Sequence, residues 1–173
     1  MHQIKLSFDN VDSGQPLYIK TTSGAYEVAT PAEVLAAARK AADCLAIKGE
    51  AFTSPNQVKN FVVAKLAGLE HEVFGVIFND NQNHLIEYKE MFSGSVSSAS
   101  VYPREVVKTA LRLNASNVIF VHNHPSHSLS PSDADEQLTK RLIAALELVE
   151  IRVLDHIIVA GSKTTSFAEN GLI

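Results

Sequence analysis

The stretch His122-Asn123-His124-Pro125-Ser126-His127-Ser128-Leu129-Ser130-Pro131-Ser132-Asp133-Ala134-Asp135 leaves an apolar run at residues 117–121 and enters a helical period. A short apolar run bounded by turn residues reads as a strand buried on both faces. Residues two apart in an extended chain point to the same side. His122 and His124 therefore present two imidazoles at one side of a strand end, which is half a metal site. The loop ends in helix-start signals, with Ser130 as cap, Pro131 in the first helical position and Asp133 three residues after the cap. Capping and the helix dipole account for Asp133. Asp135 needs another account. The helix, expected over residues 131–149, carries the apolar stripe Leu138, Leu142, Ala145, Leu146 and Val149. One turn back along that stripe lie Asp135 and then Ser132. A carboxylate on a buried face is costly unless paired or bound to a cation, and the two nearby histidines offer a metal as the partner.

Two His and one Asp leave the fourth position of a tetrahedral zinc open, the catalytic rather than the structural pattern. Zinc in such a site lowers the pKa of a coordinated water toward about 7, and the chemistry then needs a carboxylate to carry the proton. Glu72, at the start of an apolar run over residues 72–78, is the candidate. Glu70 has the same strand parity, and spacing alone does not separate them.

Working outward, residues 79–83 are turn-rich and 85–92 pair back as a hairpin partner. A small-residue stretch at 93–100 precedes a helix over 103–114, and a third buried strand is expected over 151–160. Strands alternating with helices imply an α/β layered domain. Upstream, Thr30, Pro31 and Glu33 start a helix reaching Gly49, with Val34, Ala37, Ala38, Ala41 and Leu45 as its packing face. Ser54, Pro55 and Gln57 start another, with Val58, Phe61, Val62, Leu66 and Leu69 at helical period. Before residue 30, short strands are expected around Ile4, Leu6 and Phe8, around Leu17 and Ile19, and around Tyr26 and Val28. The Lys48-Gly49-Glu50 break divides a 1–51 appendage of strands plus one helix from a main domain at 52–173.

The 173 residues are 46% hydrophobic and 20% charged with a net charge of -4, the range of a soluble globular domain that needs no structural metal. A metal must then answer to chemistry. Cys44 is the only cysteine, which excludes disulfide frameworks and thiolate zinc cages and suits a reducing cytoplasm. It is expected to be a buried, inert thiol. No apolar run reaches membrane-span length, and the first five residues lack signal-peptide regions, so a cytoplasmic protein with no membrane partner is expected. With 15 Lys and Arg against 19 Asp and Glu, a DNA clamp is disfavoured. Arg104, Lys108 and Arg112 form a basic stripe on one helix, read as a solvated face. The adjacent letters His-Asn-His are no sign of an HNH nuclease, whose residues are spread over a hairpin and a helix. A zinc deaminase would need a cysteine pair, and no His-Glu-x-x-His occurs.

His-x-His, seven residues, Ser, two residues, Asp, with an upstream Glu on a strand, resembles the pattern of JAMM (MPN+) metalloproteases. His122-Asn123-His124-Pro125-Ser126 with Pro131-Ser132 is similar to the RadC-like branch of that superfamily. Glu72-Val73-Phe74, Phe92-Ser93-Gly94-Ser95, Pro103-Arg104-Glu105, Asp155-His156-Ile157-Ile158 and Ser166-Phe167-Ala168-Glu169-Asn170-Gly171 extend the resemblance over about residues 52–173. It implies a JAB/MPN-type mixed β-sheet sandwiched between helices. It further implies one zinc per chain on His122, His124 and Asp135, Glu72 as general acid/base, and Ser132 helping to hold an oxyanion. The implied activity is hydrolysis of a peptide or isopeptide bond in a protein or peptide substrate. RadC-like proteins also carry a DNA-repair name, so a metal-dependent nuclease is the alternative, and a non-catalytic binding module is the third reading. His127 stands where RadC-like proteins usually have Gly. Either the loop accepts it, since His is among the residues enriched at positive φ, or its ring covers the site. His156 reads as a core histidine held by Asp155 rather than a support of the metal ligands. His2, His71 and His84 read as surface residues.

Overall fold

In the computed structural model, which describes residues 16–47, 52, 54–94 and 101–173, the chain divides into two units between Val34 and Leu35. The expected strand around Ile4, Leu6 and Phe8, the Lys48–Glu50 break and His2 lie outside the described residues. In the first unit β1 (Tyr18–Lys20) and β2 (Tyr26–Val28) form a small antiparallel hairpin. After it, the Thr30 hydroxyl accepts from Glu33 N at 3.3 Å and Glu33 Oε2 accepts from Thr30 N at 2.8 Å, the reciprocal cap that starts α1 (Pro31–Ile47).

In the second unit, α1 turns Leu35, Ala38, Arg39 and Ala42 inward. Of the expected face of Val34, Ala37, Ala38, Ala41 and Leu45, Val34 and Ala38 are half-buried, but Ala37 and Ala41 are exposed and Ala42 is in the core instead. Cys44 is exposed, not buried, for the same reason. Helix α2 (Pro55–Leu66) begins at Ser54 with the predicted Pro55 and Gln57, and buries Val58, Phe61, Val62 and Leu66. It leads to β3 (Val73–Asn79), whose seven residues are all buried. The remaining elements are β4 (Leu85–Ser93), α3 (Pro103–Arg112), β5 (Asn117–Asn123), α4 (Asp133–Glu147), β6 (Arg152–Ala160) and a β7 (Lys163–Ser166) too short and polar to be read from periodicity.

The sheet order is β4-β3-β5-β6-β7, antiparallel throughout except for the parallel β5–β6 pair. Strand alternation sorts the side chains to two faces. Val73, Ile77, Ile119, Val121, Ile157 and Val159 pack with α2 and Ala42. Phe74, Val76, Phe78, Val118 and Phe120 pack with Val106 and Ala110 of α3 and Leu142 and Leu146 of α4. The sheet thus lies between helices, as the resemblance implied. Arg104, Lys108 and Arg112 are exposed on the outer side of α3.

Candidate metal centre

His122 ends the apolar alternation of β5 on the face that carries α4. Its pairing opposite Phe74 on one side and Ile158 on the other fixes it at the centre of the sheet. His124 N donates to Val159 O at 2.8 Å, which prolongs the extended chain one step and keeps the second imidazole on the same side as the first.

Asp135 arrives from α4 in a register that corrects the sequence reading. The cap is Ser132, not Ser130, and the helix starts at Asp133. Ser132 Oγ accepts from Asp135 N at 3.2 Å, while Ser132 N and Oγ donate to Asp135 Oδ2 at 2.8 and 2.7 Å. The later cap wins because Asp135 is only 4% exposed and its carboxylate needs those donors. With its hydrogen on Asp135, the Ser132 hydroxyl would have to rotate to contact a substrate oxyanion.

His122 Nε2 lies 2.9 Å from His124 Nε2 and 3.3 Å from Asp135 Oδ1, and His124 Nε2 lies 3.5 Å from Asp135 Oδ2. Ligands 2.0–2.1 Å from a tetrahedral zinc stand about 3.3–3.4 Å apart, so the three residues could hold one ion with small adjustments. Among the described residues this is the only such cluster of His, Cys, Asp or Glu. Two imidazole nitrogens and a carboxylate this close need a cation, whether a metal or a proton. Burial works against the Asp135 carboxylate, yet hydrogen bonding to His122, His124 and Ser132 outweighs it and holds its pKa below the ordinary range. The Asp135 hydrogen bond raises the His124 pKa, against an opposing effect of burial.

A polar cleft of about 250 Å³ opens onto this cluster, lined by Glu72, His124, Ser126, Ser128, Ser130, Ser132 and Asp135. A larger depression of about 570 Å³ between α4, β6 and the chain end holds none of these groups. Glu72 is placed by a residue the sequence reading passed over. The Asn123 side chain accepts from Val73 N at 2.8 Å and donates to His71 O at 2.9 Å, gripping the backbone on both sides of Glu72. The visible signal was a polar residue between the two histidines at the end of a buried strand.

His127 has φ 60°, the left-handed conformation that Gly would supply. Its ring turns to the β6–β7 turn, where a Cβ on Gly161 would meet His127 Nδ1 at 3.1 Å, and it is not among the cleft-lining residues. The loop has accepted the residue. His156 departs from expectation. Asp155 binds the backbone N–H groups of His156 and Ala168 and the Ser166 hydroxyl, and does not bond the His156 ring. Adjacent strand residues face opposite sides, so the pairing was geometrically unsuited. The ring is fully buried against Phe74, Phe120 and Phe167, and contacts His122 Nδ1 at 2.8 Å and Thr139 Oγ1 at 2.6 Å. Burial drives its pKa well below the usual histidine value. His71 is exposed, and His84 is half-buried beside Asp80 at 3.0 Å.

Residues 52–172 match the family profile described as the RadC-like JAB domain. A UPF0758 protein of Vibrio cholerae is 55% identical over 125 residues, covering 72% of this chain and 78% of the relative. The UPF0758 protein YfjY of Escherichia coli K12 is 51% identical over 125 residues, covering the same shares. The UPF0758 protein PSHAa2643 of Pseudoalteromonas translucida is 55% identical over 122 residues, 70% of this chain but 54% of its own length.

Proposed function

Because the chain belongs to the RadC-like JAB domain family, we propose that it is a zinc-dependent hydrolase of JAMM type that cleaves a peptide or isopeptide bond. The observation that carries this reading is the convergence of His122, His124 and Asp135, with ligand atoms within 4.8 Å of one another, at the floor of a cleft that Glu72 also lines. Two imidazoles and one carboxylate suit zinc better than the all-oxygen shells of magnesium or calcium. When bound, zinc would supply Lewis-acid polarisation of a carbonyl and a nucleophile at neutral pH.

The chain's own residues divide the remaining work. His122, His124 and Asp135 would hold the ion, three of the four ligands that zinc takes. Glu72 takes a proton on its carboxylate and passes it to the departing amine nitrogen, the general acid/base role. Asn123 fixes the backbone from which that carboxylate projects. The Ser132 hydroxyl, at the cleft wall, would turn to the substrate oxyanion. The net charge of -4 favours a protein or peptide substrate over DNA, and among the described residues no helix is long and apolar enough to cross a membrane. The lone cysteine agrees with a cytoplasmic setting. The His127 ring, turned to Gly161, leaves the cleft open, which supports an enzyme over a blocked binding module.

The test is zinc content of the purified chain followed by a peptide and isopeptide panel. One zinc per chain, lost in His124→Ala, and cleavage lost in Glu72→Gln with zinc retained are the expected results. Absence of zinc from the wild type overturns the proposal. Zinc-dependent nicking of plasmid DNA without peptide cleavage would transfer the site to the nuclease reading.

A further inference from the structure

We propose that His156 and Thr139 are positioning residues that hold His122 in the one tautomer able to bind a metal through Nε2. The inference rests on the metal-centre reading above and adds to it two residues that touch neither the ion nor the cleft.

Thr139 Oγ1 lies 2.6 Å from Asp135 O, its i−4 carbonyl, and 2.6 Å from His156 Nδ1. A carbonyl only accepts, so the single hydroxyl hydrogen goes to Asp135 O and the hydroxyl must accept from His156 Nδ1–H. Enclosed by Phe74, Phe120 and Phe167 and 0% exposed, the ring is neutral, and its Nε2 then carries a lone pair. That lone pair stands 2.8 Å from His122 Nδ1, which must donate to it. A neutral His122, the form that a metal ligand takes, is thereby left with a lone pair on Nε2, the atom facing His124 and Asp135.

A neutral His124 reaches the same state by a shorter route, since its Nδ1 lies 2.8 Å from the Ser128 carbonyl, again an acceptor only. The two ligands are thus set in matching tautomers by different devices, one from the loop and one from a relay across α4 and β6. The relay starts at the carbonyl of Asp135 and returns to its carboxylate. It ties the position of the third ligand to the protonation pattern of the first. A threonine bonding its i−4 carbonyl is ordinary in helices. A fully buried histidine placed between that hydroxyl and His122 is the added observation, and ligating histidines commonly have their second nitrogen held in this way.

The test uses the full chain. Zinc dissociation constants from chelator competition are expected to weaken by about 10–100-fold in Thr139→Val and in His156→Phe, and Thr139→Ser should restore tight binding. In the zinc-free wild type, two-dimensional ¹⁵N–¹H spectra of the histidine side chains should show His122 protonated at Nδ1, with the ε form gaining population in Thr139→Val. Unchanged zinc affinity in Thr139→Val, or His122 carrying its proton on Nε2 in the wild type, overturns the proposal. The tautomer measurement needs no metal, so it decides the relay even if zinc binding itself fails. If Thr139→Val unfolds, the wild-type tautomer and the Thr139→Ser affinity remain decisive.

Discussion

Replacing Asp135 by Asn separates the metal site from the helix start that shares its residue. Ser132 N–H and O–H both donate to Oδ2, at 2.8 and 2.7 Å, so the amide oxygen takes that position and the cap is kept. The NH₂ group then stands where Oδ1 stood, 3.3 Å from His122 Nε2, and donates into the lone pair that would bind the ion. One substitution removes the anionic ligand and occupies a second. In the wild type, zinc at a hundred times its Kd stabilises the folded state by about 2.7 kcal/mol. In a chain of this size each kcal/mol moves Tm by about 2–4 °C, so zinc should raise Tm by roughly 5–11 °C. In EDTA, Asp135→Asn should lose only the charge-assisted part of the Asp135 interactions with His122, His124 and Ser132, about 1–3 kcal/mol, because every hydrogen bond of the cap survives. Added zinc should then produce no shift. Calorimetry with and without zinc reads both quantities. A zinc-dependent rise of more than about 5 °C in the variant would refute the ligand assignment. A loss beyond about 3 kcal/mol in EDTA would refute the account of the cap.

His127→Gly relieves a left-handed residue at a cost of about 1 kcal/mol but adds chain entropy of similar size, so chemical denaturation should show a change within about 1 kcal/mol. Its kcat/KM on any cleaved peptide should match the wild type, and a rise of about tenfold would mean that the ring covers the cleft after all. The metal-free protein should be most stable near the unfolded histidine value of 6.5. Below it the buried neutral His156 and then the depressed Asp135 carboxylate lose their contributions as pH falls, while the raised His124 imidazole stabilises below it and loses its contribution as pH rises. Urea unfolding in chelator across pH should show both slopes, and Asp135→Asn should flatten the alkaline one. Leu142→Ala, at a fully buried site between α4 and the sheet, should cost about 2–5 kcal/mol in the same assay, and a cost under about 1 kcal/mol would contradict the assigned packing of α4.

The sheet and its helices were legible where one pattern dominates. The runs that became β3 and β5 are apolar throughout their central residues and bounded by turn residues, and β6 ends in the apolar run 157–160, which admits few alternatives. That His122 and His124 share one side was readable from parity, and that Asp135 turns inward from its place on the apolar stripe of α4, while their reading as a metal site needed all three together with the family pattern. Helix α1 was misread because alanine occupies several of its sides, so the sequence carries no unique stripe and Cys44 fell on the wrong face. His156 was misassigned by proximity in sequence to Asp155, although alternation along a strand sends neighbours apart. What unites the ring with His122 is the register of β5 with β6, which no local pattern reports.

The choice between two overlapping caps is the step on which the site depends. Ser130-Pro131-Ser132-Asp133 and Ser132-Asp133-Ala134-Asp135 both place an acidic residue three positions after a serine, and proline in the first helical position favours the earlier one. Local preference therefore points the wrong way. The later start prevails because it solves a problem that exists only in the folded molecule. Asp135 faces the end of β5, where it is only 4% exposed, and Ser132 is the neighbour whose N–H and O–H can satisfy one carboxylate oxygen. With Oδ2 so engaged, Oδ1 is left directed at His122. The hydrogen bonds that begin the helix also aim the ligand, so helix start and metal geometry are one structural decision. It is taken by burial rather than by propensity.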